Sequence, residues 1–270
     1  MSSRLIESPY RWEYGPEGAP LLLCLHGIGS CADAFIAQQP LADRCGRRVV
    51  AWDAPGYRHS PDPSGDPGID GWADAAAALI AELGYEDADV LGVSWGGVTA
   101  TRLALRHPSA VRSLILADSS VGSGTSEHRA TAMRARAREM EELGIDTFAS
   151  DRAPKLVNAA ASDELVSAVA KMMTDSVRMP AYQWAANSMA EADHRPDLAS
   201  ITCETLVVVG DEDTVTGPAK AVELAAGIPG AEFVTIAAAG HLANQERPKP
   251  FNDAVAEFLT LRENPQQTRS

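Results

Sequence analysis

The sequence predicts an α/β protein: a mostly parallel sheet flanked by helices, with a helical segment inserted between two of its strands. Three observations carry this. Short, nearly continuous apolar runs recur along the chain, which suits strands covered on both faces. Helical patterns alternate with those runs, as in βαβ units with right-handed crossovers. The alternation stops between Val121 and Ser200. With 270 residues, 45% of them hydrophobic, the chain can bury the core of one such domain with an insertion. The expected division is a core of residues 1–120 and 201–270 and a helical cap of residues 121–200.

Taken in order, Trp12-Glu13-Tyr14-Gly15 suits the end of a leading antiparallel strand or hairpin. Buried strands are expected over residues 21–25, 49–52, 90–93, 114–117, 206–209 and 233–236. Helices are expected over 32–41, 72–83, 98–106, 219–226 and 251–261. Residues 121–200 hold no strand signal but three helix-compatible stretches, 127–143, 163–173 and 181–190. Met133, Met140, Met172, Met173, Met179 and Met189 all fall in this segment, with Tyr182, Trp184 and Phe148. Flexible thioethers adapt to irregular apolar ligands, so a lid over a hydrophobic pocket fits this composition; so does a subdomain packing its own core. The tail from Glu263 to Ser270 is expected to fray.

The net charge of -14 repels phosphate backbones and anionic lipid, which argues against nucleic acid and membrane surfaces as partners. No stretch reaches the 18 apolar residues of a membrane span, and the first ten residues lack the apolar centre of a signal peptide. A cytoplasmic protein is expected, and a homodimer is compatible with the sequence. Cys24, Cys31, Cys45 and Cys203 lie without metal-ligand or redox-pair spacing, so reduced thiols and no metal site are expected.

The chemistry centres on Gly92-Val93-Ser94-Trp95-Gly96, which follows an apolar run and opens a helical stretch. Flanking glycines permit a strand-to-helix turn sharp enough to lift a serine hydroxyl above the end of a sheet. A serine needs a base in hydrogen-bond reach, normally held by a third group. His241, in the loop after the last strand, is the candidate base. His26, His59, His107, His128 and His194 compete from less suitable places: a strand end, a proline-rich loop, a helix end and the insertion. For the acid, Asp211, Glu212 and Asp213 directly follow a strand, with Asp118 in reserve after another. The oxyanion of an acyl-transfer intermediate calls for two backbone donors. The Trp95 N–H, at the start of the following helix, and the Ile28 N–H, in His26-Gly27-Ile28-Gly29, suit that role; His26 itself suits tying the loop together.

Together, His26-Gly27-Ile28-Gly29, the loop from Trp52 to Ser60 (Trp52-Asp53-Ala54-Pro55-Gly56-Tyr57-Arg58-His59-Ser60), Gly92-Val93-Ser94-Trp95-Gly96-Gly97, Gly210-Asp211-Glu212-Asp213 and Gly240-His241 resemble the α/β-hydrolase superfamily, in that family's order and over most of the chain. The resemblance implies an α/β-hydrolase fold with Ser94, Asp213 and His241 as nucleophile, acid and base, and no metal or organic cofactor. Thr216-Gly217-Pro218-Ala219, the run from Gly240 to Pro248, and Phe251-Asn252 are similar to the 3-oxoadipate enol-lactonase group. The loop Asp53-Ala54-Pro55-Gly56-Tyr57 is closer to carbon–carbon bond hydrolases of aromatic-ring degradation. Those usually carry asparagine before the serine and tryptophan after the histidine, where this chain has Val93 and Leu242. Serine at position 94 departs from the aspartate of haloalkane dehalogenases and epoxide hydrolases.

The resemblance implies hydrolysis of a small apolar or aromatic ester or lactone through an acyl-enzyme. Carbon–carbon bond hydrolysis, lyase, cyclase or perhydrolase chemistry, and a non-catalytic ligand receptor are alternatives on the same fold. Gly27, Tyr182, Trp184, Met133, Met172 and Leu242 are the expected pocket residues, and Trp95 is a further candidate for its apolar wall. Arg129, Arg134, Arg152 or Arg178 are candidates to meet a substrate carboxylate.

Overall fold

The computed structural model describes residues 8–261, so the expected fraying of Glu263 to Ser270 lies outside the described residues. The apolar runs form strands β1 (Arg11–Tyr14), β2 (Leu21–Leu25), β3 (Arg48–Trp52), β4 (Ala88–Val93), β5 (Val111–Ala117), β6 (Glu204–Gly210) and β7 (Glu232–Ile236). They make one sheet in the order β1-β3-β2-β4-β5-β6-β7. Only β1, the expected leading strand, runs antiparallel to its neighbour, pairing Arg11 with Trp52 and Tyr14 with Val49. Side chains on a strand point to alternate faces, so a strand with no polar face must be covered twice. Accordingly Leu21, Leu23 and Leu25 enter one apolar cluster while Leu22 and Cys24 enter the other.

The first cluster is covered by α2 (Gly68–Glu82), α3 (Trp95–Arg106) and α8 (Pro218–Gly227); the second by α1 (Leu41–Cys45) and α10 (Pro248–Leu261), with the short α9 (Ala243–Glu246) leading into α10. The strand β7 differs from the expectation of a fully buried run: it lies at the sheet edge, and Phe233 is 40% exposed. The helix expected over residues 32–41 is instead a 3-10 stretch, Ala32–Gln38, followed by α1. Pro40, which has no N–H to donate, stands at the junction.

Between β5 and β6 the chain forms α4 (Glu127–Leu143), α5 (Ile145–Leu156), α6 (Asp163–Ser176) and α7 (Ala181–Glu191). Ser126 and Ser162 cap α4 and α6 by accepting from the N–H three residues on, at 3.4 and 3.3 Å. The helix α5 was not expected. It follows α4 after the single residue Gly144, at φ 77°, and carries Pro154 near its end, so the sequence shows a break where the chain only turns. Met133, Met140, Tyr182 and Met189 join the same apolar cluster as α2 and α3, so the insertion packs on the sheet's helical layer. Among the described residues no helix is long and apolar enough to cross a membrane.

The end of β4 remote from the site is tied down by charge. Asp89, 1% exposed, accepts from Arg47 Nε at 2.7 Å, Arg112 Nη2 at 2.7 Å and Ser113 Oγ at 2.7 Å. Removing the carboxylate takes this partner away from the buried Arg47 charge. Asp89→Asn is therefore expected to cost about 3 kcal/mol or more of unfolding free energy in urea, with the m-value unchanged; a loss below about 1 kcal/mol would refute this anchoring role.

Candidate active site

The turn that carries Ser94 depends on two absent side chains. A Cβ on Gly92 would lie 2.3 Å from the Gly96 carbonyl oxygen, and one on Gly96 would lie 2.0 Å from the Leu25 carbonyl oxygen. Without them β4 passes directly into α3, and Ser94 takes φ 55°, ψ -115°, a conformation unfavourable for a residue with a Cβ. Its neighbours hold it there: the Ser94 N–H donates to Ala117 O at 2.9 Å, and Ser119 Oγ donates to Ser94 O at 2.8 Å.

His241 lies between β7 and α9, and its Nε2 is 2.9 Å from Ser94 Oγ. The other ring nitrogen, Nδ1, is 3.1 Å from Asp213 Oδ2. Asp213 follows β6 in a turn that also supplies its partners: the Val215 and Thr216 N–H groups donate to Oδ1 at 2.7 and 3.1 Å, and Thr216 Oγ1 donates to Oδ2. Burial works to raise the Asp213 pKa. The hydrogen bond and charge of His241, then the bonds from Thr216 and Val215, outweigh it and hold the carboxyl well below the usual carboxylate range.

Asp118 occupies a different environment. It lies fully buried at φ 47°, accepting from Gly210 N at 2.9 Å and Ala243 N at 3.1 Å. Burial raises its pKa well above the ordinary value against the pull of those N–H groups, and the Asp213 charge adds to the rise. It thus joins the β6 end to the start of α9, and among the described residues it shares no hydrogen bond or ion pair with His241. Asp211 and Glu212 are exposed.

The Ile28 N–H and the Trp95 N–H meet no acceptor among the described residues. The Ile28 peptide is oriented from its other side, where Tyr57 Oη donates to Ile28 O at 2.9 Å, and a turn closes with Ser30 N donating to Gly27 O at 3.1 Å. His26 ties this loop to the next: Nδ1 donates to Gly27 O at 2.8 Å, and Nε2 accepts from Ala54 N at 3.0 Å. Burial lowers its pKa, in keeping with a neutral ring that both gives and accepts.

A cavity of about 670 Å³, counting the part open to solvent, spans the space between this floor and helices α4 to α7. Ser94, His241 and Ile28 line it, as do the expected Gly27, Tyr182, Met172 and Leu242. Met133 and Trp184 do not. Met133 lies on the buried side of α4 within the main apolar cluster, and Trp184 packs against that same cluster. Trp95 contributes no side chain either: its indole stacks edge-on against Trp72 with ring centroids 4.9 Å apart, and Nε1 donates to Ser188 Oγ on α7 at 3.1 Å. Of the four arginines considered, only Arg152 lines the cavity; Arg178 pairs with Asp62 at 2.9 Å, Arg129 is exposed with a weak bond to Thr125, and Arg134 is exposed.

Sequence reasoning assigned no role to Thr216, Glu246 or Arg136. Thr216 was detectable in principle, because a hydroxyl three residues after an aspartate in a tight turn can reach its carboxylate. Glu246 accepts from Gly240 N at 2.9 Å and Leu242 N at 3.3 Å on either side of His241, and from Asn158 N of the insertion at 2.6 Å. Its role depends on α9 turning back over its own loop. Arg136 lines the cavity because of the rotation of α4, which the sequence does not reveal.

A strained serine at a strand-to-helix turn, with a histidine and a carboxylate brought from two later strand ends, is the arrangement of a serine-dependent α/β enzyme. A family profile described as alpha/beta hydrolase fold matches residues 20–248, and the chain belongs to that superfamily. It is 30% identical over 209 residues to 3-oxoadipate enol-lactonase 2 of Acinetobacter baylyi, covering 77% of this chain and 76% of that one. It is also 30% identical over 264 residues to a 2-hydroxymuconate semialdehyde hydrolase of Pseudomonas putida, covering 90% and 88%. Among solved structures, a thermophilic esterase from Thermogutta terrifontis with malate bound superposes with a TM-score of 0.83 at 28% identity, covering 93% of this chain and 92% of that one.

The direction of the Asp213 shift has a consequence for stability. A carboxyl whose folded pKa is depressed stabilises the fold fully above its unfolded value, about 3.9, and loses that contribution as pH falls through the folded value. The unfolding free-energy gap between wild type and Asp213→Asn should therefore shrink from pH 6 to pH 3. Equal gaps at the two pH values would contradict it.

Proposed function

We propose that the protein is a serine hydrolase that cleaves a small ester or lactone through an acyl-enzyme, with α4 to α7 serving as a cap over the pocket. The observation that carries this reading is the continuous chain from Ser94 Oγ to His241 Nε2 (2.9 Å) and from His241 Nδ1 to Asp213 Oδ2 (3.1 Å) on the floor of the cavity. Ser94 Oγ attacks the acyl carbonyl while His241 Nε2 takes its proton. Asp213, ionised, accepts from Nδ1–H and stabilises the imidazolium that forms. The Ile28 and Trp95 N–H groups donate to the tetrahedral oxyanion, aided by the N-terminal dipole of α3. Collapse of the intermediate passes the proton from Nε2 to the leaving oxygen, which in a lactone stays attached to the acyl chain. Water then attacks the acyl-enzyme with His241 as base, and Ser94 is restored.

Identity to an enol-lactonase supports the ester or lactone reading. The equal identity to a carbon–carbon bond hydrolase supports a second one, in which the bond cleaved is that of a vinylogous diketone. Val93 and Leu242, where such hydrolases usually carry asparagine and tryptophan, favour the first.

Ser94→Ala should leave a folded protein whose kcat on an activated ester falls by about 10⁴-fold or more, and that no longer labels with a fluorophosphonate. Asp213→Asn should lose about 10³- to 10⁴-fold, because an amide facing Nδ1 favours the wrong tautomer. Undiminished turnover by Ser94→Ala would overturn the nucleophile assignment. Product analysis across lactones, aryl esters and vinylogous diketones separates the two readings; cleavage of the diketone alone would overturn the first.

A further inference from the structure

The cavity beside Ser94 is lined by two guanidinium groups, Arg136 from α4 and Arg152 from α5, and by no aspartate or glutamate among the described residues. This is unusual for a chain with 37 acidic and 23 basic residues. Elsewhere half-buried and buried arginines are neutralised: Arg47 by Asp89, Arg48 by Glu13, Arg58 by Asp33, Arg102 by Asp70 and Arg178 by Asp62. Arg136 and Arg152 form no ion pair or hydrogen bond among the described residues. Arg152 instead lies over the Phe148 ring, 5.7 Å from its centroid. Burial, and then the nearby Arg152 charge, pull the Arg136 pKa down from its ordinary value against the smaller opposing effects of Tyr182 and Glu139, so the two cations are close enough to disfavour each other.

Two like charges held together in a cavity otherwise walled by Leu156, Val169, Met172 and Met173 raise the energy of the empty site. An anion between them removes the repulsion and gains charge-assisted, forked hydrogen bonds, for which guanidinium and carboxylate geometries match. Tyr182, whose ring packs edge-on against Phe148, closes the same wall.

We infer that Arg136 and Arg152 form a carboxylate-binding subsite, so that the ester or lactone cleaved at Ser94 carries a free carboxylate on the arm lying toward α4 and α5. The inference rests on Ser94 being a hydrolytic nucleophile, but the arginine pair can be tested apart from it. The subsite explains why an acidic protein places positive charge in this cavity, and it sets a specificity: neutral esters of the same shape leave both guanidinium groups unpaired.

The kinetic test uses two esters of equal length, the p-nitrophenyl monoester of glutaric acid and p-nitrophenyl pentanoate, which differ by a carboxylate in place of a methyl. Wild type should favour the charged ester by at least about 10-fold in kcat/KM, chiefly through KM, and the ratio should collapse toward one in Arg136→Gln/Arg152→Gln. Arg136→Lys/Arg152→Lys should restore part of the preference, because a point charge keeps attraction without the fork. The binding test is calorimetry of glutarate with Ser94→Ala, which needs no turnover: binding is expected, and its loss in Ser94→Ala/Arg136→Gln/Arg152→Gln. Equal kcat/KM for the two esters in wild type, or glutarate binding unaffected by the double arginine change, overturns the inference. If neither ester is turned over, the hydrolase reading fails and calorimetry alone decides the subsite.

Discussion

At Gly96 the first turn of α3 comes so close to the end of β2 that a single added carbon would lie 2.0 Å from the Leu25 carbonyl oxygen. That approach sets the first turn of α3 directly against the end of β2 and the start of the loop at His26. It also forces the positive φ at Ser94, a strain of order 1–3 kcal/mol that persists because the surrounding structure over-determines it. The bonds from Ser119 Oγ and to Ala117 O show where that surrounding structure acts. Everything the site can do is arranged about this one hydroxyl.

Two carboxylates near the site illustrate how environment separates residues of one type. Asp213 has four donors, His241 among them, and is held ionised where an imidazolium can form beside it. Asp118 has two backbone donors, no cation, and complete burial, and its carboxyl is pushed the opposite way. Each follows a strand and each was a plausible acid on position alone. Desolvation balanced against specific hydrogen bonds decides between them. Thr216 links the two, its hydroxyl reaching Asp213 Oδ2 and, at 3.0 Å, the Asp118 carbonyl oxygen.

The helices between β5 and β6 are fastened to the core at points that matter to the site. Trp95 follows the serine in sequence, yet its indole faces away from the cavity and bonds Ser188 of α7. Glu246 grips the backbone on both sides of His241 and the Asn158 N–H of the insertion. The segments that carry Ser94 and His241 are therefore bonded directly to the insertion that supplies the other wall of the cavity.

The order of strands and helices, the turn at Ser94, the loops at Ile28 and His241 and the set of candidate acids were all legible in the sequence. Each is encoded locally: continuous apolar runs for strands covered on both faces, glycines where a Cβ cannot fit, small and polar residues at strand ends. The helix α5 escaped because Gly144 and Pro154 read as loop, and Met133, Trp184 and Trp95 were misjudged as pocket because type and segment do not say which way a helix face turns. Only the tertiary structure lined one cavity with Arg136 and Arg152 and with no acidic side chain among the described residues, put Asp118 on the backbone donors of Gly210 and Ala243, and enlisted Thr216 and Glu246. Those features arise from helix rotation and from contacts between distant strand ends, and their energies depend on burial and neighbouring charge, quantities that no local stretch of sequence contains.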